Sequence, residues 1–399
     1  MKRIITVFVI FLFCCSLEAE EGDYSLSKVT YEAIAQAQEL IEASKYNEAE
    51  KALLKLEDSP RVRKELDKAY VKFYLGYFYN LKSDPTKAIA YFEEALSYDA
   101  LPPDQVKNAY LNLVQLLTDK EAYTKAILNL DKLIQITEPA KAEYFVYRAN
   151  AYLGLKEYRR VVQNLDEAIA LEKPKPNWLS TKFYCFYMLQ DYPGAIGVLK
   201  ELIALEPGNK NYWLQLSSLY TETKNFDRAL SSLDIARIAK MDLNENELMQ
   251  LVSWLRYMNI PYKAAVIMQE RLGQNIINVN EKNLDTLGDL YYESKEFKKA
   301  IEWYEKAAKL SEKGKIYFKI AQIYENERNY EEVVKNAKLS LEKADENRLG
   351  EKHFLLAKAQ YELGNMQEAK EGFTEALKYP KIKKSAQAWL EYIKENNRS

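Results

Sequence analysis

Glycine and proline are scarce, 12 and 11 among 399 residues. So few chain breakers exclude a loop-rich β protein and suit helical hairpins joined by short turns. No run shows the period-two alternation of a half-buried strand. Histidine occurs once, at His353, which excludes a histidine-built metal site and any choice of catalytic relay. His353 stands beside Phe354 and Leu355 on a first-helix position and reads as a packed or half-exposed helix residue. Of three cysteines, Cys14 and Cys15 share an N-terminal apolar run, leaving Cys185 with no intramolecular partner in the rest of the chain. Cys185 sits in FYCFYM, where no basic neighbour would lower its pKa, so it reads as a buried, inert thiol. The chain has no Gly-rich phosphate loop, no GxSxG, no HExxH and no CxxC. Its net charge of −2 and pI near 5.9 supply no basic stripe for nucleic acid. Pairs such as Glu93-Glu94 and Glu331-Glu332 stand among lysines and read as solvated helix faces, since acid–base catalysis needs a shaped, dry pocket. Enzyme function is therefore not expected, and no catalytic, metal or cofactor-binding residue is assigned.

What is abundant is tyrosine, 31 residues, together with a repeated amphipathic pattern. Residues 283–312, NLDTLGDLYYESKEFKKAIEWYEKAAKLSE, show it most clearly. Leu284, Leu287, Gly288 and Tyr291 recur at helical spacing, and so do Ala300, Tyr304, Ala307 and Leu310 after a turn. Gly288, Ala300 and Ala307 are small where two helices must approach; Leu287, Tyr291, Trp303 and Tyr304 fill the gaps. The pattern returns in Leu75-Gly76, Tyr79, Ala88, Phe92 and Ala95, and in Trp213, Leu216, Ser217, Tyr220, Ala229, Leu233 and Ala236. About ten such hairpins tile the chain, the seventh being the most degenerate, with Arg271 where alanine is usual. Prolines check the register: Pro60, Pro139, Pro174 and Pro207 fall near ends of second helices, and Pro85, Pro193 and Pro261 at their starts.

This pattern resembles the tetratricopeptide repeat (TPR), with its period of about 34 residues and its small residue, aromatic and alanine at set places. The resemblance covers residues 30–380. It implies an all-α, right-handed superhelical solenoid of TPR-like hairpins, closed by a C-terminal capping helix. The expected organisation is a signal peptide at 1–19 and a short polar lead at 20–29. N-terminal hairpins follow at 30–101, the main array at 102–381, and a capping helix and tail at 382–399. The signal reading rests on Lys2 and Arg3 followed by an apolar run, Ile4 to Cys15, too short to span a bilayer. It places the protein in the periplasm, with peripheral membrane association at most; lipidation of a cysteine and an uncleaved anchor stay open as alternatives.

In a solenoid of that kind the first helices line a concave face. Their inward positions give Tyr70, Phe73 and Tyr77, then Asn108, Asn150, Asn177, Tyr184 and Tyr187, then Asn211, Ser218, Tyr257 and Tyr292. Phe318 falls on the same stripe. Asparagine can donate to and accept from an extended backbone, and tyrosine offers contact area at little entropic cost. The expected partner is a protein or extended peptide segment. A narrower resemblance spans residues 174–345. It is carried by Asn177-Trp178-Leu179, by Asn211-Tyr212-Trp213 with Gln215-Leu216, and by Pro261-Tyr262-Lys263-Ala264-Ala265 with Gly288 and Phe297-Lys298-Lys299-Ala300. These words look like the exported TPR protein that accompanies TonB–ExbB–ExbD energy-transduction systems. The resemblance implies TonB, ExbB or ExbD as partners; envelope assembly or secretion is the alternative role.

Overall fold

The structure, a computed structural model, describes residues 24–343 and 348–396. The expected signal peptide lies outside the described residues. Among those residues every regular element is an α-helix, and none is long and apolar enough to cross a membrane. The chain forms two compact units, one ending at Leu205 and the other beginning at Glu206.

The first unit holds five hairpins. They are α1 (Lys28–Glu42) with α2 (Tyr46–Glu57), α3 (Glu65–Leu81) with α4 (Pro85–Ser97), and α5 (Pro103–Asp119) with α6 (Tyr123–Gln135). Next come α7 (Ala142–Gly154) with α8 (Tyr158–Leu171) and α9 (Pro176–Met188) with α10 (Tyr192–Leu205). The second unit opens with α11 (Lys210–Glu222) and α12 (Phe226–Ile238), α13 (Glu245–Tyr257) and α14 (Pro261–Gly273). It continues with α15 (Glu281–Glu293) and α16 (Phe297–Leu310), then α17 (Lys315–Asn326) and α18 (Tyr330–Glu342). Helices α19 (Leu349–Glu362) and α20 (Met366–Ala376) form the tenth hairpin, and α21 (Lys383–Asn396) stands alone at the end. Within each unit every helix packs on its neighbours in the chain.

The scarcity of glycine raises the question of how the chain turns so often. In all ten hairpins the turn residue has a positive φ, 57–81°: Ser44, Ser83, Glu121, Lys156, Gln190, Lys224, Asn259, Lys295, Arg328 and Gly364. The next N–H reaches back five residues, as Lys45 does to Leu40 at 2.8 Å and Glu296 to Tyr291 at 2.9 Å. These bonds satisfy carbonyls that the helix end would leave unpaired. Only Gly364 takes this conformation without a Cβ penalty; a side chain there costs about 1–2 kcal/mol. Prolines then set helix starts, since Pro85, Pro103, Pro176 and Pro261 are each the first helical residue, where a missing N–H is harmless.

Small residues let the paired helices close up. A Cβ on Gly288 would lie 2.4 Å from the Tyr304 ring. Tyr304 is itself buried, and its hydroxyl donates to Asp289 Oδ1 at 2.6 Å. Gly76 makes the same allowance for Phe92. Leu75, Phe78, Phe92 and Leu113 are fully buried in the first unit, as are Leu251, Leu287 and Ile320 in the second. Each contributes roughly 1.5–3 kcal/mol of transfer free energy. Leu101 packs with Ala69 and Ala95, and Val106 of α5 packs against the same cluster. At the far end Trp389 of α21 stacks on Phe373 at 5.4 Å, and Ala386 and Ile393 are buried beside it. Helix α21 thereby covers the last hydrophobic edge.

Candidate protein-binding face

The first helices of the two units carry different chemistry. In the first unit, α1, α3 and α5 are joined by neutral hydrogen bonds. Gln38 Nε2 of α1 donates to the Tyr74 hydroxyl of α3 at 3.1 Å, and Asn80 Nδ2 of α3 donates to Asn112 Oδ1 of α5 at 3.2 Å. Asn112 Nδ2 in turn donates to the Asn108 carbonyl at 2.8 Å. Among the predicted residues of α3, Phe73 is half-buried, edge-on to Phe92 at 5.7 Å, and Tyr70 is half-buried, stacked on Tyr74 at 6.4 Å. Tyr77 is the ring α3 shows to solvent, 37% exposed.

Asn108, Asn150 and Asn177 are exposed on α5, α7 and α9. Helix α9 also exposes Tyr184 and Tyr187 one turn apart. Tyr158 meets Tyr184 edge-on at 6.0 Å, and Tyr187 lies 6.4 Å from both Phe183 and Tyr192. None of the predicted residues on α3, α5, α7 and α9 is charged.

The second unit has charge in the same register. Arg256 of α13 holds Glu293 of α15 through Nε, 3.0 Å from each carboxylate oxygen, and through Nη2. The hydrogen bonds to Glu293 push the Arg256 guanidinium still higher in pKa, against the opposing effect of burial. Lys319 of α17 lies 2.7 Å from Asp285 and 2.6 Å from Asp289, and Lys315 lies 3.3 Å from Glu281. Lys358 of α19 pairs with Glu325 at 2.8 Å. Burial, followed by the hydrogen bond to Asp289, raises the Tyr304 hydroxyl well above the usual phenol range, so it stays a donor to this ladder. Every cation named here is engaged by a carboxylate of its own unit. Of the predicted residues, Tyr257 leans on Phe226 and Trp254 at 5.4 and 5.7 Å, and Tyr292 lies 5.7 Å from Phe297. Asn211 and Ser218 are exposed on α11.

One expectation is corrected. Phe318 is only 4% exposed and packs with Ala321, Val333 and Leu355, because α19 closes over that side of α17. It is a core residue. Sequence reasoning also missed Gln38, Tyr74, Asn112 and Lys319, which join one first helix to the next. Their signal is complementarity about one repeat apart, such as Asp285 and Lys319 separated by 34 residues.

The residues weighed for chemistry are packed as structural residues. Cys185 is fully buried, and burial pushes its thiol up to about 11. His353 is half-buried, 6.3 Å from the Tyr379 ring and stacked on it, and burial lowers its pKa. No group of His, Cys, Asp and Glu among the described residues could hold a metal ion.

Tetratricopeptide-repeat family models match residues 34–105 and residues 282–313. The chain thus carries tetratricopeptide repeats in both units. No curated protein matches it. Among solved structures, MamA is 20% identical with a TM-score of 0.34, covering 42% of this chain and 94% of its own. YrrB, described as a TPR protein with an unusual peptide-binding site, is 17% identical with a TM-score of 0.35, covering 44% of this chain and 87% of its own. A tetratricopeptide repeat protein from Parabacteroides merdae is 16% identical with a TM-score of 0.38, covering 66% of this chain and 99% of its own.

Proposed function

We propose that this chain is a non-enzymatic interaction scaffold that holds an extended protein segment on the first-helix face of its first unit. Tetratricopeptide repeats are protein-interaction modules, and the one observation that carries the choice of face is its chemistry. Side-chain amides at Asn108, Asn150 and Asn177 can pair with either group of a peptide backbone, and Tyr77, Tyr184 and Tyr187 add exposed aromatic area. The second unit is less suited to gripping a terminal carboxylate, because Arg256, Lys315, Lys319 and Lys358 already bind carboxylates of their own chain. A newcomer would have to displace those pairs.

The site of action in this reading is the periplasm, supported by the basic start and short apolar run of residues 2–15. The partner is a component of a TonB–ExbB–ExbD system, supported by the sequence words between residues 174 and 345. In-cell crosslinking tests the whole reading. A photoreactive residue replaces Tyr184, and the adduct is identified by mass spectrometry after osmotic-shock release of the periplasm. An adduct with TonB, ExbB or ExbD is the expected result. Capture of outer-membrane or secretion components would transfer the scaffold to envelope assembly. Retention of the chain in the cytosol would overturn the export reading.

A further inference from the structure

The second unit leaves one group of aromatic rings open. Phe226 is the first residue of α12, and Trp254 and Tyr257 lie one turn apart at the end of α13. Phe226 and Trp254 stack at 5.2 Å with 29° between their planes. Tyr257 stands across both, at 74° to Phe226 and 84° to Trp254. Phe226 and Trp254 are half-buried, whereas Tyr257 is 66% exposed, so it does more than fill a gap between helices. We propose that this three-ring corner takes an arginine side chain of a bound protein segment. The inference rests on the scaffold reading but not on the choice of the first-unit face.

The rings and their surroundings select a cation. An aromatic face is electron-rich, that of tryptophan most of all, and attracts lysine or arginine within about 6 Å. This chain uses that attraction elsewhere, with Lys175 over Trp178 at 4.7 Å and Lys306 over Trp303 at 3.7 Å. Around the corner its own cations are turned away. Arg256 holds Glu293, Arg228 lies over Tyr220 at 5.7 Å, and Lys263 pairs with Asp234 at 2.5 Å. Among the described residues no lysine or arginine covers Phe226, Trp254 or Tyr257. Glu222 and Asp227, four residues before Phe226 and one after it, are exposed and form no ion pair among the described residues. One exposed lysine, Lys224, stands against them in the intervening turn. An apolar anchor would strip water from those carboxylates and return nothing. A guanidinium can lie flat on a ring while its N–H groups remain free for carboxylates, whereas an ammonium is more strongly hydrated and gives up more on leaving water.

Fluorine NMR of the full chain labelled with 5-fluorotryptophan tests this. The sequence holds five tryptophans, and Trp254→Phe assigns the resonance that matters. The probes are acetyl-Gly-Arg-Gly-amide and its lysine and citrulline counterparts; citrulline keeps the shape of arginine without the charge. The arginine peptide should shift the Trp254 resonance and bind at least about threefold more tightly than the citrulline peptide. Tyr257→Ala should weaken the arginine peptide at least about threefold, and Tyr257→Phe, which keeps the ring, should preserve its binding. Equal affinity for arginine and citrulline, a preference for lysine over arginine, a Trp254 resonance that does not move, or indifference to Tyr257→Ala would each overturn the inference. Any of these, with Tyr184 still crosslinking to a protein, would sink this inference alone. Failure of both experiments would remove the scaffold reading with it.

Discussion

Gly288 offers the sharpest test of the helix-contact register. Alanine in a helix interior is favoured over glycine by about 0.8–1.0 kcal/mol, so Gly→Ala should stabilise wherever there is room. Gly197 in α10 has room, with nothing within 4 Å of a Cβ built on it. At Gly288 the same Cβ would lie 2.4 Å from the ring of Tyr304, a side chain held by its bond to Asp289. Overpacking of this kind costs about 1–3 kcal/mol. The net effects therefore take opposite signs. Gly197→Ala should stabilise by about 0.4–1 kcal/mol, and Gly288→Ala should destabilise by up to about 2 kcal/mol. Urea unfolding followed by circular dichroism gives the sign. Amide exchange in α15 and α16 localises the loss, which matters because repeats couple mainly to their neighbours. Shrinking the ring with Tyr304→Leu should remove the penalty for alanine at position 288. If Gly288→Ala stabilised as much as Gly197→Ala, the predicted close approach of α15 and α16 would be wrong.

Other perturbations address the charge ladder and the turns. Lys319→Ala leaves Asp285 and Asp289 without their shared cation and should cost about 1–2 kcal/mol. The loss should shrink in high salt; urea unfolding unchanged by the substitution would show the ladder to be ornamental to stability. Asp234 titrates below the ordinary carboxylate range: burial alone would raise it, but the pairs with Lys263 and Arg237 outweigh that. Its stabilising effect is thus complete above about pH 4 and is lost as pH falls through the depressed folded value. Asp234→Asn should flatten the acid-induced rise of amide exchange around α12 and α14, and an identical acid profile in the variant would contradict the assignment. Lys295 has φ 62°, so Lys295→Gly should relieve strain and stabilise by up to about 1 kcal/mol once the greater freedom of the unfolded chain is subtracted. A loss of stability in urea would argue against a left-handed turn there.

The architecture was legible because small and large residues recur with one period. Leu75-Gly76 with Phe92, and Leu287-Gly288 with Tyr304, announce the same close approach twice over. Proline placement fixed the second-helix starts at Pro85 and Pro261, since neither could sit deeper in a helix. The left-handed turns were not legible, because polar residues such as Ser83, Lys156 and Lys295 occupy a conformation that glycine usually marks. The exposed members of the candidate face, Tyr77, Tyr184, Tyr187 and the asparagines, follow from helical register alone. Register could not separate them from Phe318, whose burial depends on how α19 lies against α17. Nor could it find Gln38, Asn112 or Lys319. Their partners belong to the next repeat, and a search within single helices does not pair them.

The central claim is that a partner is held by the first helices of the first unit. Photoreactive residues placed in turn at Tyr77 and Tyr187 on first helices, and at Leu128 and Leu171 on second helices, test it in living cells, since all four side chains are exposed. The account predicts that one partner is captured from Tyr77 and Tyr187 and not from Leu128 or Leu171. Capture confined to Leu128 and Leu171 would contradict it and move the binding surface to the second helices.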